Sequence, residues 1–530
     1  MKLLITTIFV VCTTITFVAC QEQFKVIIVG AGPSGIATAS KLLENGINNI
    51  LILEAENRVG GRINTQNWNG RNIDLGAEWC HGEKNNIVWE TLQEKGLLGL
   101  LEHDEMPEEI FLSSRKKISK EFSKELFGLL DIYLDLDENN IPKNVSLGEV
   151  MVKRFNQEIY RKFGNDKEKY NIAKNAIEWM ENMILCLEAA FTWDDVGTVS
   201  DYEDAGGYLN WGWGNHGYKI FLDILTKKYP NPKEQLPIDN KILLNKEVKK
   251  IITRENGNKI LCTDGTSYNA QHVVFTPSLG VLKHDAKSLF DPQLPAKKLN
   301  AIERIGFGAV MKVFVKYDSH WWGDLPGMNF IWTEEDRKAV TNKFSQEPLN
   351  YKGQSWIVEI SNAISLPHSN IFLVWFTGEI LPSIENMDDA TLQKGIEFTF
   401  NKFFGHMFYV PKPQNILKTT WYTNPHFRGT YSFASVNSTG HEVEVLQQPI
   451  SDFLGVPLLQ FAGEATNPTH HSTVHGAVES GFREANRIIE LYNKTCNLGD
   501  LFWMALERSP RETLQMAARW LKQREPCVRN

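Results

Sequence analysis

Residues 26–65 read VIIVGAGPSGIATASKLLENGINNILILEAENRVGGRINT, and this stretch decides the fold. The apolar run 25–29 predicts a buried parallel strand. A glycine-rich turn then leads into IATASKLLENG, which predicts a helix that ends at Gly46. A second apolar run, NILILEA, predicts the next strand, which ends at Glu54. The order strand, turn, helix, strand is that of a βαβ unit and indicates an α/β fold.

The glycines of the turn predict what this unit binds. Gly30, Gly32 and Gly35 form the pattern Gly-x-Gly-x-x-Gly. The first permits a tight turn, the second lets the backbone approach a pyrophosphate, and the third lets the helix pack on the strand. The helix begins near Ser34 with free N–H groups for phosphates, and Glu54 lies where a carboxylate accepts a ribose hydroxyl. We therefore predict a Rossmann-like dinucleotide-binding domain, in which the acid disfavours the 2′-phosphate of NADP.

Length, charge and the N-terminus bound the function. A chain of 530 residues has room for two or more domains, and its net charge of −8 argues against a nucleic-acid surface and suits a cationic small substrate. Residues 1–20, MKLLITTIFVVCTTITFVAC, predict a secretory signal peptide, with an uncleaved anchor or a bacterial lipoprotein signal as alternatives. No later stretch is long and apolar enough to span a bilayer. We expect a secreted protein without a membrane span after cleavage.

Secretion changes how other residues are interpreted. Asn144, Asn437 and Asn493 begin glycosylation acceptor patterns. The mature chain keeps five cysteines, an odd number that cannot pair fully. Cys496 and Cys527 bracket the tail, and either they form a disulfide or all five cysteines stay as thiols. No cysteine or histidine spacing indicates a metal site.

A second glycine pair follows the acid. The segment ENRVGGRINT places two glycines between Arg58 and Arg62, which predicts either another close pass along a pyrophosphate and ribityl chain or ordinary surface charges. With the preceding glutamate, this segment resembles the Glu-Ala-x-x-Arg-x-Gly-Gly-Arg motif of the flavin amine oxidase family. The resemblance implies that the dinucleotide is FAD and that Arg62 contributes to its binding.

The resemblance continues along nearly the whole mature chain, and it is strongest to the polyamine oxidases of that family. Six further blocks follow in order: DLGAEWCHG, LLNKEVKKI, VVFTPSLGVLK, IGFGAVMKVFVKYDSHWW, WYTNPHFRGTYSF and LLQFAGEATNPTHHSTVHGAVESGFREANRII. By resemblance, Val248 holds the adenine, Glu464 lies near the ribityl chain, and Thr473 and Val474 lie beside the isoalloxazine. Gly82 also belongs to the implied FAD contacts.

The same blocks imply the catalytic and substrate-lining residues. Lys312 matches the family lysine that holds a water against flavin N5, although its alternating neighbours also fit a half-buried strand with a wet lysine face. His81 matches a tunnel-lining histidine, or else is a satisfied buried residue. Trp421 and Tyr431 match the aromatic residues over the flavin. Thr473 also lines the substrate site by this resemblance.

Glu78 occupies a variable position of its motif. It either meets a substrate ammonium or forms a salt bridge with Arg62, and it completes the predicted substrate-lining set.

Departures from relatives refine the prediction. Monoamine oxidases attach the flavin through a cysteine where this chain has Thr430, so FAD should be non-covalent. L-amino-acid oxidases have a Gly-Pro-Met-Arg type segment where this chain has GAEWCHG. The resemblance thus implies a polyamine oxidase, which transfers a hydride from a polyamine to flavin N5 and uses O₂ as the acceptor. Another flavin amine oxidase, such as an L-amino-acid oxidase, and a silent flavin-binding protein are the alternatives.

We predict a two-domain organisation. A discontinuous FAD-binding domain spans 22–90, 236–310 and 441–495. A substrate domain combines a helical part, 91–235, with a mixed-sheet part, 311–440. Residues 496–530 form a tail beyond the family resemblance.

Overall fold

The structure is a computed structural model, and it describes residues 23–100, 109–134, 136, 141, 145–198, 201–350 and 352–496. The predicted signal peptide, the tail after residue 496, Asn144 and Cys527 lie outside the described residues. The side chain of Cys496 also lies outside them, so the predicted disulfide stays a prediction. The described Cys80, Cys186 and Cys262 are free thiols.

Strands and α-helices are numbered in chain order. The strands are β1 Gln23–Val29, β2 Ile50–Leu53, β3 Thr65–Trp68, β4 Arg71–Asp74, β5 Ile110–Leu112, β6 Ile242–Leu243, β7 Val248–Arg254, β8 Gly257–Cys262, β9 Ser267–Phe275, β10 Phe290–Asp291, β11 Gly306–Phe307, β12 Met311–Lys316, β13 Gly327–Ile331, β14 Asn362–Ser365, β15 Ile371–Phe376, β16 Asn415–Lys418, β17 Ser432–Phe433, β18 Ile450–Ser451 and β19 Pro457–Phe461. The helices are α1 Pro33–Glu44, α2 Ile87–Leu92, α3 Lys120–Phe127, α4 Asp131–Leu134, α5 Leu147–Phe163, α6 Lys167–Glu188, α7 Ile220–Leu225, α8 Leu279–Leu289, α9 Ala296–Arg304, α10 Glu334–Lys343, α11 Leu381–Glu385, α12 Asp389–Phe404, α13 Glu442–Gln447 and α14 Val474–Cys496.

A nine-stranded sheet contains the predicted βαβ unit. Its central part is parallel, in the order β19-β9-β1-β2-β6, with β7, β8, β10 and β18 added around it. Strand β1 alternates between two buried faces, because Ile27 packs in one apolar cluster and Val26 and Ile28 pack in another. Burial on both faces explains the unbroken apolar run. The Rossmann-like α/β prediction is confirmed.

The glycine turn is packed as the fingerprint requires. Gly30 has φ +101°, a left-handed conformation that favours glycine. A Cβ on Gly35 would lie 2.0 Å from the carbonyl oxygen of Gly30, so only glycine lets α1 approach the strand this closely. Helix α14 crosses α1 in a similar way, since a Cβ on Gly481 would lie 2.3 Å from the Ser34 carbonyl oxygen.

A second, mixed sheet has the order β16-β12-β15-β14-β13-β5. Strand β12 is central in its pairing, between β15 and β16. Met311, Val313 and Val315 point into a large apolar core, while Phe314 packs on the other face against Ile73. Lys312 shares that other face by alternation.

One expectation for the predicted helical part is wrong. The apolar spacing between Met106 and Ala190 predicts helices, and α3 to α6 form there. Residues 110–112 instead form β5, which pairs in parallel with β13. A three-residue strand has no period long enough to recognise, and its partner lies more than 200 residues away in the chain.

The two sheets draw on the chain segments assigned to the two predicted domains, with β5 as a short addition from the helical part. The domain boundaries themselves stay a prediction. Within the described ranges, none of the helices combines the length and the apolar character needed to cross a bilayer.

Candidate active site

A cavity of about 1310 Å³ runs from the glycine turn to Lys312. Its volume exceeds the 300–1,000 Å³ typical of small-molecule sites, as a site for a dinucleotide plus a substrate requires. Most of the predicted site residues line it: Gly30, Gly32, Ser34, Glu54, Arg62, Glu78, His81, Val248, Lys312, Trp421, Tyr431, Glu464, Thr473 and Val474.

Two predicted residues do not line the cavity. Gly35 lies beneath the turn, where it performs the packing role predicted for the third glycine. Gly82 has φ +77°, and a Cβ there would lie 2.6 Å from that of Ala205. The positive φ and the close contact with Ala205 explain why position 82 is a glycine. They do not support a contact between Gly82 and a cofactor.

The glycine-turn end of the cavity fits a dinucleotide. Helix α1 starts after Gly32 without a side-chain cap among the described residues, so its first N–H groups face the cavity with no side chain in front of them. Glu54 directly follows β2 and accepts hydrogen bonds from the backbone N–H of Ala31 at 2.6 Å and of Glu56 at 2.8 Å. Burial raises its pKa. A pyrophosphate and a ribose match these donors and this acid.

The second glycine loop, which contains Gly60 and Gly61, packs against the first glycine turn. Gly61 has φ +56°, and a Cβ there would lie 3.0 Å from the Cα of Gly32, so the two glycine loops lie back to back. Arg58 donates to the carbonyl oxygens of Gly61 at 2.8 Å and Ile63 at 3.2 Å. Arg58 therefore holds the loop in shape and is not an ordinary surface charge, while the close pass of this loop along a pyrophosphate stays a prediction.

Arg62 and Glu464 form the centre of a buried network. Arg62 Nη1 lies 2.9 Å from Glu464 Oε1 and donates to the Thr430 carbonyl oxygen at 2.6 Å. The other carboxylate oxygen of Glu464 accepts from Ser432 Oγ at 2.6 Å and from the Ser472 N–H at 2.8 Å. Burial alone raises the pKa of Glu464, but the charge of Arg62 and these hydrogen bonds hold it below its usual value.

Lys312 is buried, so the alternative prediction that it lies on a solvent-exposed strand face is wrong. Its side chain is 5% exposed, and Nζ donates to the carbonyl oxygens of Asp74 at 3.2 Å and Gly76 at 2.9 Å. The third donor reaches Glu78 Oε2 at 2.5 Å. Arg62 is therefore not the partner of Glu78, because each of the two cations has its own carboxylate.

Aromatic rings cover this end of the cavity. Trp79 and Trp375 stack with centroids 6.2 Å apart, and Lys312 Nζ lies 5.8 Å and 5.0 Å from them. Trp421 Nε1 donates to the Leu75 carbonyl oxygen at 3.1 Å, and Tyr431 donates to the carbonyl oxygen of Cys186 at 2.6 Å. These hydrogen bonds fix the ring orientations.

Trp375 was missed by sequence reasoning. Its run, IFLVWF, indicates only a buried strand. The signal lies in the pairing of β12 with β15, which sets Trp375 opposite Lys312.

His81 and Thr473 face the cavity in different ways. His81 is an exposed residue whose Nδ1 lies 3.1 Å from the Leu209 carbonyl oxygen, and partial desolvation at the cavity wall lowers the pKa of its ring. Thr473 donates to the His470 carbonyl oxygen at 2.7 Å and accepts from the Gly476 N–H at 3.0 Å. Its hydroxyl thus caps α14, whose positive end lies at the cavity wall.

Comparison with known proteins agrees with this geometry. Residues 33–489 match the family model described as flavin-containing amine oxidoreductase. Peroxisomal N(1)-acetyl-spermine/spermidine oxidase of Homo sapiens is 27% identical over 88% of this chain and 95% of its own. Probable polyamine oxidase 5 of Arabidopsis thaliana is 27% identical over 90% and 99%, and polyamine oxidase 1 of Zea mays is 25% identical over 89% and 91%.

A solved structure of a putrescine oxidase redesigned in its cofactor binding has a TM-score of 0.57 at 17% identity, over 88% of this chain and 99% of that one. This likeness concerns the fold. The family match covers most of the chain, from Pro33 just after Gly32, and includes the second glycine loop and Lys312. The chain belongs to the flavin-containing amine oxidoreductases and is an FAD-dependent amine oxidoreductase.

Proposed function

We propose that the protein is a secreted polyamine oxidase that acts on spermine, spermidine or their acetyl derivatives. In the overall reaction a C–N bond next to a CH₂ group is oxidised to an imine, and water splits the imine into an aldehyde and an amine. The two electrons removed from the amine reduce O₂ to H₂O₂. One water and one O₂ are consumed for each amine oxidised, and the reaction balances. FAD, when bound, supplies the two-electron acceptor for this step.

The charge of the cavity wall carries the proposal. Glu78, Glu188 and Asp204 line the cavity, together with tyrosine and tryptophan rings. The Tyr133 hydroxyl donates a hydrogen bond to Glu188 Oε1 at 2.5 Å, which holds that carboxylate in place. Carboxylates and ring faces are the groups that attract ammonium ions, and a polyamine carries several of them.

The reacting nitrogen must lose its proton before its neighbouring carbon is oxidised. Removal of this nitrogen from water disfavours its ammonium form and therefore favours the neutral amine. The lowered pKa of His81 disfavours a positive charge that would repel the remaining ammonium groups. The tryptophan walls also exclude water and align the carbon to be oxidised.

An amino-acid substrate is less well supported. Its carboxylate needs a cation, and two of the cations that line the cavity, Arg62 and Lys312, each pair with a glutamate. An L-amino acid that used either of these cations would have to break its buried ion pair, which is costly.

Two further features belong to the proposal. Thr430 takes the place of a flavin-linking cysteine, and its hydroxyl accepts from the Val310 N–H at 3.2 Å, which supports non-covalent FAD. Secretion rests on the sequence of residues 1–20. If the protein is secreted, it should be found in the culture medium with a new N-terminus near residue 20. N-terminal sequencing of the protein from the medium tests this prediction.

The experiment that tests the reaction is anaerobic mixing of the FAD-loaded protein with spermine, N1-acetylspermine, spermidine or L-leucine, followed by flavin absorbance. We expect the polyamines to bleach the oxidised flavin and leucine to leave it yellow. Bleaching by leucine would assign the protein to the amino-acid oxidases. A flavin that no amine bleaches would favour a silent flavin-binding protein.

A further inference from the structure

The ammonium of Lys312 has no donor to spare. It carries three N–H groups, and the acceptors are the carbonyl oxygens of Asp74 and Gly76 and the carboxylate of Glu78. The two carbonyl oxygens belong to the backbone and stay with the chain. Glu78 is therefore the acceptor that can respond to a ligand.

Glu78 uses half of its own acceptor capacity on this contact. Oε2 accepts from Lys312, while Oε1 receives no hydrogen bond from the described residues. Both side chains line the cavity, but that of Glu78 is 22% exposed and that of Lys312 only 5%. The carboxylate is thus the partner of this pair that is more accessible to a substrate.

The surroundings of Glu78 suit a second cation. The stacked rings of Trp79 and Trp375 lie beside Lys312 at 5.8 Å and 5.0 Å, and both rings line the cavity. Ring faces attract cations but offer them no hydrogen bond. A carboxylate oxygen next to two such rings supplies that missing hydrogen bond.

We propose that Glu78 is an acceptor shared between Lys312 and the substrate, with Oε2 on the lysine ammonium and Oε1 on a substrate ammonium. The inference rests on the proposed function, since it takes the ligand to be a polycationic amine. It makes Glu78 a specificity-determining residue that couples the charge of the substrate directly to the position of Lys312.

The sharing has a consequence that a purely structural role lacks. One negative charge serves two cations, so each weakens the attraction felt by the other. Without the lysine charge, the whole carboxylate serves the ligand, and Glu78 becomes more important for binding. If Glu78 only holds Lys312 in place, it becomes irrelevant once that lysine is gone.

A double-mutant cycle separates these roles. The protein is FAD-loaded and chemically reduced under argon, so that spermine binds without being oxidised, and calorimetry gives the dissociation constant. We expect Glu78→Gln to weaken spermine binding about tenfold, in the range of a lost charged hydrogen bond. Lys312→Met should strengthen it. In the Lys312→Met background, Glu78→Gln should weaken binding more than it does in the wild type.

Glu83→Gln is the matched control. Glu83 lies on the same segment, but its Oε1 accepts from the Tyr208 N–H and from Trp211 Nε1, each at 3.2 Å, and it does not line the cavity. We expect this variant to bind spermine as the wild type does. If Glu78→Gln loses FAD, Glu78→Asp replaces it in the same cycle, because the shorter carboxylate keeps its charge but cannot reach both cations.

Two results would overturn the inference. The first is a Glu78 substitution without effect on spermine binding in the Lys312→Met background. The second is wild-type protein that does not bind spermine. Spermine could instead bind with the expected pattern of dissociation constants and yet not bleach the oxidised flavin. That result would contradict the proposed reaction but would still support Glu78 as the shared acceptor.

Discussion

Arg62 and Glu464 lie 402 residues apart in the chain, and their side chains meet at 2.9 Å. The arginine ends the second glycine loop, and the glutamate follows β19, so the pair joins two parts of the FAD cradle. Arg62 is the more exposed partner, with 23% of its side chain accessible against 5% for Glu464. The carboxylate therefore depends on the arginine more than the reverse.

The first prediction concerns this pair. Arg62→Ala should lower the free energy of unfolding by about 3–5 kcal/mol, the cost of leaving a buried charge without its partner. Glu464→Gln should cost less, because the amide oxygen still accepts a hydrogen bond and Arg62 reaches solvent. Urea unfolding of both variants measures the difference. Equal losses, or a larger loss for Glu464→Gln, would contradict this account.

The second prediction concerns pH. Burial raises the pKa of Asp74 from 3.8 to about 6, although Thr65 and the Tyr218 N–H donate hydrogen bonds to its carboxylate. Between these two values the folded protein keeps a proton that the unfolded chain has released. The free energy of unfolding should therefore fall as pH rises through this window, by up to about 3 kcal/mol from this group.

Asp74→Asn tests the assignment, since an amide does not titrate. The free energy of unfolding of wild type and variant would be measured from about pH 4 to pH 7, which covers the window that these values define. The difference between the two proteins should change with pH as predicted. A pH-independent difference would assign the effect to other groups.

The third prediction concerns the contact between the two glycine loops. Gly61→Ala should weaken FAD binding and destabilise the fold, because the new Cβ would lie 3.0 Å from the Gly32 Cα in a backbone with φ +56°. Gly46 is a matched control, since its φ is +76° and nothing lies within 4 Å of a Cβ there. Gly46→Ala should show only the conformational cost, about 1 kcal/mol. FAD titration of both apoproteins distinguishes them.

The fourth prediction concerns Lys312 in the reaction with oxygen. Lys312→Met should keep FAD, because the glycine loops and the Arg62 network remain intact. Its reduced flavin should reoxidise at least about tenfold more slowly, the scale of one lost charged contact. Stopped-flow mixing with O₂ measures this rate. An unchanged rate would remove Lys312 from the oxidative half of the reaction.

The local pattern of the first βαβ unit was sufficient to predict its structure. Strand β1, the turn at Gly30, helix α1 and the acid at the end of β2 form where the sequence indicates. These features depend on neighbours within about one helix or strand, such as a continuous buried run and a positive φ. Sequence therefore determined the fold class, the cradle and, through the resemblance, the family.

Tertiary structure alone decided which charges and rings meet. Glu78 has Lys312 as its partner, Arg62 has Glu464, and Trp375 of β15 lies opposite the lysine of β12. No local pattern encodes these pairs, because strand order and register bring together residues that lie hundreds of positions apart. For the same reason the strand at 110–112 joins a sheet where sequence spacing predicts helix. The sequence determines which chemical groups are available, and the packing of the two sheets around the cavity determines which of them act together.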